Sequence, residues 1–261
     1  MNKLNSIFKI TFFLSAALLM FASCSDDDKE EPAPQPSRTI SKVSIYKSTD
    51  KAELLTSLIF TYDTESRLVR IDNTEPVGIV NYVYSDDNKI SYNYSSTNST
   101  LVKVNTALEN GRAYLCEFSG DESATVYSYD NGYLKASNNG KGLTLQYNWD
   151  NGNLKSIISS DTGSKYGATF TSTSITNDYS FDLNTLAQLI NSDSDYVTVM
   201  NTYGQIAGIL GNKSKNLIKD SRYMYDDSYD SEGRLKLLTL YTPNAEGYTF
   251  KIEYKDNILN R

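Results

Sequence analysis

Apolar and polar residues alternate with a period of two through much of this chain. Leu143, Leu145, Tyr147 and Trp149 share one side of a run whose other side is Thr144, Gln146 and Asn148. Tyr248, Phe250, Ile252 and Tyr254 oppose Thr249, Lys251 and Glu253, and Ile90, Tyr92 and Tyr94 oppose Ser91 and Asn93. Successive side chains of a strand point to opposite faces, so these runs predict strands with one face buried and one wet. The 21 tyrosines suit that role, with the ring on the buried side and the hydroxyl at its rim.

A short hairpin is written between the runs again and again. Tyr62-Asp63-Thr64-Glu65-Ser66-Arg67-Leu68 recurs as Tyr129-Asp130-Asn131-Gly132-Tyr133-Leu134 and as Tyr229-Asp230-Ser231-Glu232-Gly233-Arg234-Leu235. Trp149-Asp150-Asn151-Gly152-Asn153-Leu154 is a further copy with tryptophan in the tyrosine slot. Weaker copies run from Tyr82 to Ile90 and from Tyr254 to Ile258, and Glu109-Asn110-Gly111-Arg112 is a degenerate turn of the series. Asp-Asn-Gly and Asp-x-x-Gly supply residues that tolerate positive φ, as tight hairpin turns require. Clear neighbouring copies lie about 20–25 residues apart, which suits two short strands and two turns. The predicted fold is all-β, an antiparallel meander of about 12–15 strands of about 6–8 residues each. An open twisted sheet of that size curls or closes, so a barrel or half-barrel is expected.

The repeat breaks at about 176–219. Asp182, after Phe181, is placed to cap one short inserted helix with apolar positions at Leu183, Leu186, Leu189 and Ile190. A glycine-rich run follows from Gly204 through Gly208 and Gly211 to Lys213 and Asn216. This insertion is the place to expect something other than scaffold. It reads as a plug in the barrel mouth or a ligand region built from Phe181, Asp182, Gly204, Gly208, Gly211, Lys213 and Asn216.

The N-terminus carries different information. Lys3 and Lys9 precede and flank an apolar stretch, 10–21, that is too short to span a bilayer comfortably. It ends Phe21-Ala22-Ser23-Cys24, which resembles the lipobox of bacterial lipoproteins, with cleavage after Ser23 and acylation, palmitate included, at Cys24. Residues 1–23 are thus expected to be a signal peptide, 24–38 a tether, and 39–261 a single β domain. The tether opens Ser25-Asp26-Asp27-Asp28-Lys29-Glu30-Glu31 and continues Pro32-Ala33-Pro34-Gln35-Pro36. The first part is a solvated, self-repelling block and the second an extended spacer.

Charge and composition narrow the chemistry. The formal charge is −7, and five acids against one lysine put −4 of it in residues 26–31. The folded part is therefore only mildly acidic and lacks the basic footprint of a nucleic-acid binder. The chain has no histidine, which excludes Ser-His-Asp and Cys-His machinery and imidazole metal sites. Cys116 is the one cysteine left after processing, so no intramolecular disulfide forms, and its strand-like surroundings predict a buried small hydrophobe. Gly208-Ile209-Leu210-Gly211-Asn212-Lys213-Ser214 lacks the glycine before lysine and the βαβ setting of a phosphate loop. The Asp-Asn-Gly turns lack the dense oxygen ligands of a dedicated calcium loop. No cofactor is expected.

The Tyr-Asp repeats resemble the YD repeats of RHS-type proteins. Taken with the lipobox, the acidic flank, Asp182-Leu183-Asn184-Thr185-Leu186 and Gly211-Asn212-Lys213-Ser214-Lys215-Asn216-Leu217, the chain resembles an uncharacterised family of Bacteroidetes lipoproteins with a porin-like β fold. Two departures stand out: Ser66 replaces a turn glycine, and Ile218 stands where that pattern has proline. The resemblance implies a protein anchored by lipid in the outer membrane and displayed at the cell surface, with the periplasmic face as the alternative. It carries no activity and no functional residues. The expectation is a non-enzymatic binding or scaffold domain whose partner is a glycan, a peptide or an envelope protein. Alternatives are a glycan-degrading enzyme using two carboxylates, a carrier of small apolar ligands, and a transmembrane barrel, which the short expected strands oppose.

Overall fold

The computed structural model describes residues 38–48, 53–74, 77–86, 88–96, 99–119, 124–160, 165–186, 202–219, 224–241 and 247–255. These belong to one compact unit, Ser37–Arg261. The expected signal peptide, Cys24, the expected tether up to residue 37, Leu189, Ile190 and the weak repeat copy from Asp256 onward lie outside the described residues.

The strands are β1 (Ile40–Ser48), β2 (Glu53–Tyr62), β3 (Leu68–Thr74), β4 (Val77–Asp86), β5 (Lys89–Ser96), β6 (Ser99–Glu109), β7 (Arg112–Phe118), β8 (Ala124–Asp130) and β9 (Tyr133–Asn138). They continue as β10 (Thr144–Asp150), β11 (Asn153–Ser160), β12 (Lys165–Thr169), β13 (Thr171–Thr176), β14 (Asn216–Lys219), β15 (Met224–Tyr229), β16 (Leu235–Tyr241) and β17 (Gly247–Tyr254). Fifteen of them form one antiparallel sheet in the order β12 back to β1 and then β17, β16, β15. The meander is therefore interrupted once in space, where the last strand pairs with the first. β13 and β14 form a separate two-stranded ribbon. The sheet is not closed: it is a half-barrel with β12 and β15 at its edges. Several strands exceed the expected length, with 10 residues in β2 and β4 and 11 in β6, because cross-strand pairing extends past the short apolar runs visible in the sequence.

The hairpin turns follow local chemistry. Asn110-Gly111, Asn131-Gly132 and Asn151-Gly152 all have positive φ at both residues, which matches the right-handed twist of the flanking strands. The longer turns use an aspartate clamp. Asp63 Oδ1 accepts from the backbone N–H of Glu65 and of Arg67, both at 2.9 Å, while its Oδ2 accepts from Arg67 Nε at 2.8 Å. Asp230 does the same with Glu232 and Arg234. Ser66, with φ 62°, occupies the left-handed position that Gly233 fills with φ 72°.

The core lies on one face of the sheet and continues into the insertion. Ile45, Ile71, Ile90, Leu238 and Phe250 from the strands share it with Leu183, Leu186, Ile206 and Leu217. Cys116 is buried within it, its Sγ 3.3 Å from Thr106 Oγ1, and burial pushes its thiol up to about 11. Laid flat, fifteen strands would span about 70 Å. Yet the insertion bonds to β1, β4, β7, β16 and the β8–β9 and β10–β11 turns. The sheet therefore curls around it. The expected helix begins as a 3-10 turn, Leu183–Thr185, and residues 202–206 are helical.

Candidate functional site

The repeated tyrosine before the turn has a structural task that defines the molecule's surface features. At five seams between neighbouring hairpins, the ladder stops short of the turn end and an aromatic side chain bonds the carbonyl left free. Tyr62 Oη donates to Ile40 O at 2.9 Å, Tyr84 to Leu68 O at 3.0 Å, Tyr129 to Ala113 O at 2.7 Å and Tyr254 to Leu235 O at 2.6 Å. Trp149 Nε1 donates to Leu134 O at 2.7 Å in the same position. At β5–β6, where Leu108 takes the tyrosine slot, the seam does not splay. Leu108 N–H donates directly to Asn88 O at 2.7 Å, and the register runs on to Lys89↔Ala107. A side chain without a polar tip cannot satisfy a splayed carbonyl, so the backbone closes up instead.

The insertion supplies the matching acceptors. Ala113 N–H donates to Ile209 O, Leu235 N–H to Tyr179 Oη, Leu154 N–H to Ser214 Oγ and Ile40 N–H to Ser180 Oγ. Ala113, Leu235 and Ile40 have no solvent exposure, so each would hold unpaired buried backbone groups without an aromatic wedge on one side and the insertion on the other. Residues 177–217, as far as they are described, thus form a plug that completes the turn end of the half-barrel.

The residues singled out in the insertion sit along this docking seam. Phe181 is buried and stacks on Phe60 with ring centroids 4.9 Å apart. Asp182 caps the 3-10 turn, its Oδ1 accepting from Asn184 N–H at 2.9 Å and Asn177 Nδ2 at 2.7 Å. Burial raises the Asp182 carboxyl above its ordinary range despite these bonds and the nearby Lys213 charge. Lys213 Nζ donates to Tyr179 O, and burial lowers its ammonium below the usual range. Gly204 is buried beneath the Tyr92 hydroxyl, and Gly211 lies against Gly132 O and the Tyr129 ring. Gly208 has φ +77° on an open turn. Asn216 exchanges hydrogen bonds with Asn153. Only Asp182 and Lys213 come within electrostatic reach of each other; the rest are strung along the plug. Ile218 N–H donates to Asn184 Oδ1 at 2.8 Å, a bond that the proline of the resembled pattern would lack.

Carboxylates at the turns are engaged as well. In Asp63 and Asp230, partial desolvation is outweighed by the backbone and guanidinium bonds of Arg67 and Arg234, which hold both below the usual carboxylate range. The arginines then reach sideways: Arg67 lies 4.6 Å from the ring centre of Tyr84, and Arg234 4.5 Å from that of Tyr254. Each hairpin's arginine thereby lids the aromatic wedge of the next seam.

Two seams lack the arginine: at β1–β2 the position before Ile40 holds Thr39, and the β9–β10 seam departs further. At β9–β10 the arginine position holds Tyr133 and the wedge is Trp149, with ring centroids 4.8 Å apart at 41°. The ladder reaches only Gln146↔Ala136, and a cleft of about 570 Å³ opens between the strands. Its walls include Tyr133, Tyr147 and Trp149 together with Asp130, Asn131, Lys135, Gln146 and Asn148. In the sequence Trp149 is visible as a variant of the tyrosine slot, while the cleft is not. The available signal was two substitutions one hairpin apart, tyrosine for arginine and tryptophan for tyrosine.

No family model and no curated protein sequence matches the chain. The fold is similar to that of a porin-like protein from Bacteroides uniformis ATCC 8492, with a TM-score of 0.58 and 15% identity over 83% of this chain and 98% of that one. A porin-like protein from Bacteroides vulgatus ATCC 8482 gives a TM-score of 0.53 and 13% identity over 83% of this chain and 99% of that one. At these identities the shared property is the fold: a porin-like β architecture, here an open half-barrel.

Proposed function

We propose that this chain is a lipid-anchored envelope protein whose β domain binds or scaffolds and does not catalyse. The filled mouth of the half-barrel carries the reading. Leu183, Leu186, Ile206, Ile209, Leu210 and Leu217 of the insertion are buried there against the sheet. A domain that closes its own interior in this way presents its outer surface and seams to partners, not a channel. The lipobox ending at Cys24 and the acidic, proline-rich stretch after it support display on the outer face of the membrane. The first described residue, Arg38, is tied to the residues that follow β13. Arg38 pairs with Asp178 at 2.5 Å, lies 5.4 Å from the ring centre of Tyr179, and accepts from Ser180 N–H through its carbonyl.

Two measurements test the proposal. Protease shaving of intact cells should release the domain, and protection would place it on the periplasmic face. Cys24→Ser should abolish incorporation of a fatty-acid label while leaving thermal unfolding of the domain unchanged. Loss of folding in that variant would break the separation between anchor and domain.

A further inference from the structure

Most splayed seams are covered by charge. Arg67 lids Tyr84, Arg234 lids Tyr254, and the Arg112 charge lies beside Tyr129. Tyr133 replaces that arginine at β9–β10, and its ring leans on the Trp149 indole instead of covering it as a cation would. The indole is fixed, because Nε1 is committed to Leu134 O. The seam is left open as a cleft of about 570 Å³, within the range of small-ligand sites.

From this geometry we infer that the β9–β10 seam is a binding site for a neutral saccharide, an inference that rests on the binding reading above and names its ligand class. Two half-buried rings, Tyr133 and Trp149, offer π faces of negative potential. A pyranose ring presents C–H bonds of partial positive charge on one face and hydroxyls around its edge. Gln146 and Asn148 are exposed on the same cleft, and their amides donate and accept in the way hydroxyls require. Lys135 and Asp130 contribute one charge of each sign to the lining, so nothing selects an ionic ligand. An aliphatic ligand would cover the amides without pairing them, which is unfavourable. A hydroxyl-rich, uncharged ring satisfies both the aromatic and the amide parts of the lining.

Trp149 is the chain's single tryptophan, so tryptophan emission reports on this cleft alone. The full-length protein in detergent is titrated with neutral gluco-, manno-, xylo- and galacto-oligosaccharides. Uronate oligosaccharides and aromatic peptides form the counter-panel. The expected result is a saturable emission change with at least one neutral oligosaccharide. Affinity should fall about tenfold in Tyr133→Ala and stay within about twofold in Tyr114→Ala, a remote exposed tyrosine. Gln146→Ala should also weaken binding, and because Gln146 is exposed, its loss leaves the core intact. The inference is overturned if no neutral saccharide changes the emission, if only a peptide or uronate does, or if binding survives both Tyr133→Ala and Gln146→Ala. A negative titration beside positive protease shaving would sink the saccharide site and leave surface display standing.

Discussion

Tyr254→Phe isolates the aromatic strap that recurs along the sheet. The change deletes one oxygen, which lies 2.6 Å from the carbonyl of Leu235, a residue with no solvent exposure. The ring stays, along with its contacts to Arg234 at 4.5 Å and Tyr179 at 5.9 Å. A net hydrogen bond is worth about 0.5–1.5 kcal/mol, and a buried carbonyl left without a partner costs about 1–3 kcal/mol. Tyr254 itself is half-buried, so water compensates in part and a loss of about 1.5 kcal/mol is expected. For a domain of this size that lowers Tm by about 3–6 °C. Tyr254→Ala also removes the ring and should cost about 3–5 kcal/mol. Urea unfolding followed by circular dichroism measures both, with Tyr114→Phe as an exposed control expected within about 0.5 kcal/mol of the parent. The reasoning fails if Tyr254→Phe matches that control, or if Tyr254→Ala costs no more than Tyr254→Phe.

Three further outcomes follow from the turns and the plug. Gly211→Ala places a Cβ 2.7 Å from Gly132 O at φ +88°, combining backbone strain with a clash that the turn cannot relieve, and should cost about 3 kcal/mol. Gly208→Ala, at φ +77° with nothing within 4 Å, carries the strain alone and should cost about 1 kcal/mol; equal losses in thermal melts would mean that the Gly211 contact does not dock the plug. Ser66→Gly should stabilise by about 0.5–1 kcal/mol, since φ 62° strains a residue with a Cβ more than it costs glycine in entropy; a lower Tm would refute it. Asp182 titrates against folding in a defined direction: burial raises its carboxyl in the native state, so its contribution is fully present below the unfolded value of about 3.9 and is lost as pH rises through the raised native value. Asp182→Asn removes that dependence, so the variant should gain on the parent between acidic and neutral pH in urea titrations, and a difference that does not change with pH would contradict the burial.

Local chemistry carried a large part of this fold in readable form. Asn131-Gly132 and Asn151-Gly152 mark their turns because few other residues adopt positive φ there. Tyr92, Phe250 and Ile252 mark the buried face because a strand alternates its side chains. The cap at Asp182 and the burial of Cys116 follow from the same short-range reasoning. Strand length was less legible: β6 runs to 11 residues because its partners on both sides sustain pairing through polar positions.

The functional features were less legible because they depend on residues distant in sequence. That Gly211 must approach Gly132, or that Asn216 meets Asn153, depends on where the plug lands. The cleft at Tyr133 and Trp149 depends on a seam between separate hairpins, so neither residue looks unusual inside its own turn. Sequence alone therefore determined the repeated hairpins and the buried face, each written within a few neighbouring residues. Only the tertiary structure decided that β17 pairs with β1, that the half-barrel stays open at its edges, and that the β9–β10 seam opens as a cleft. Those outcomes turn on satisfying buried backbone groups between segments far apart in the chain, and no local pattern records which partners will meet.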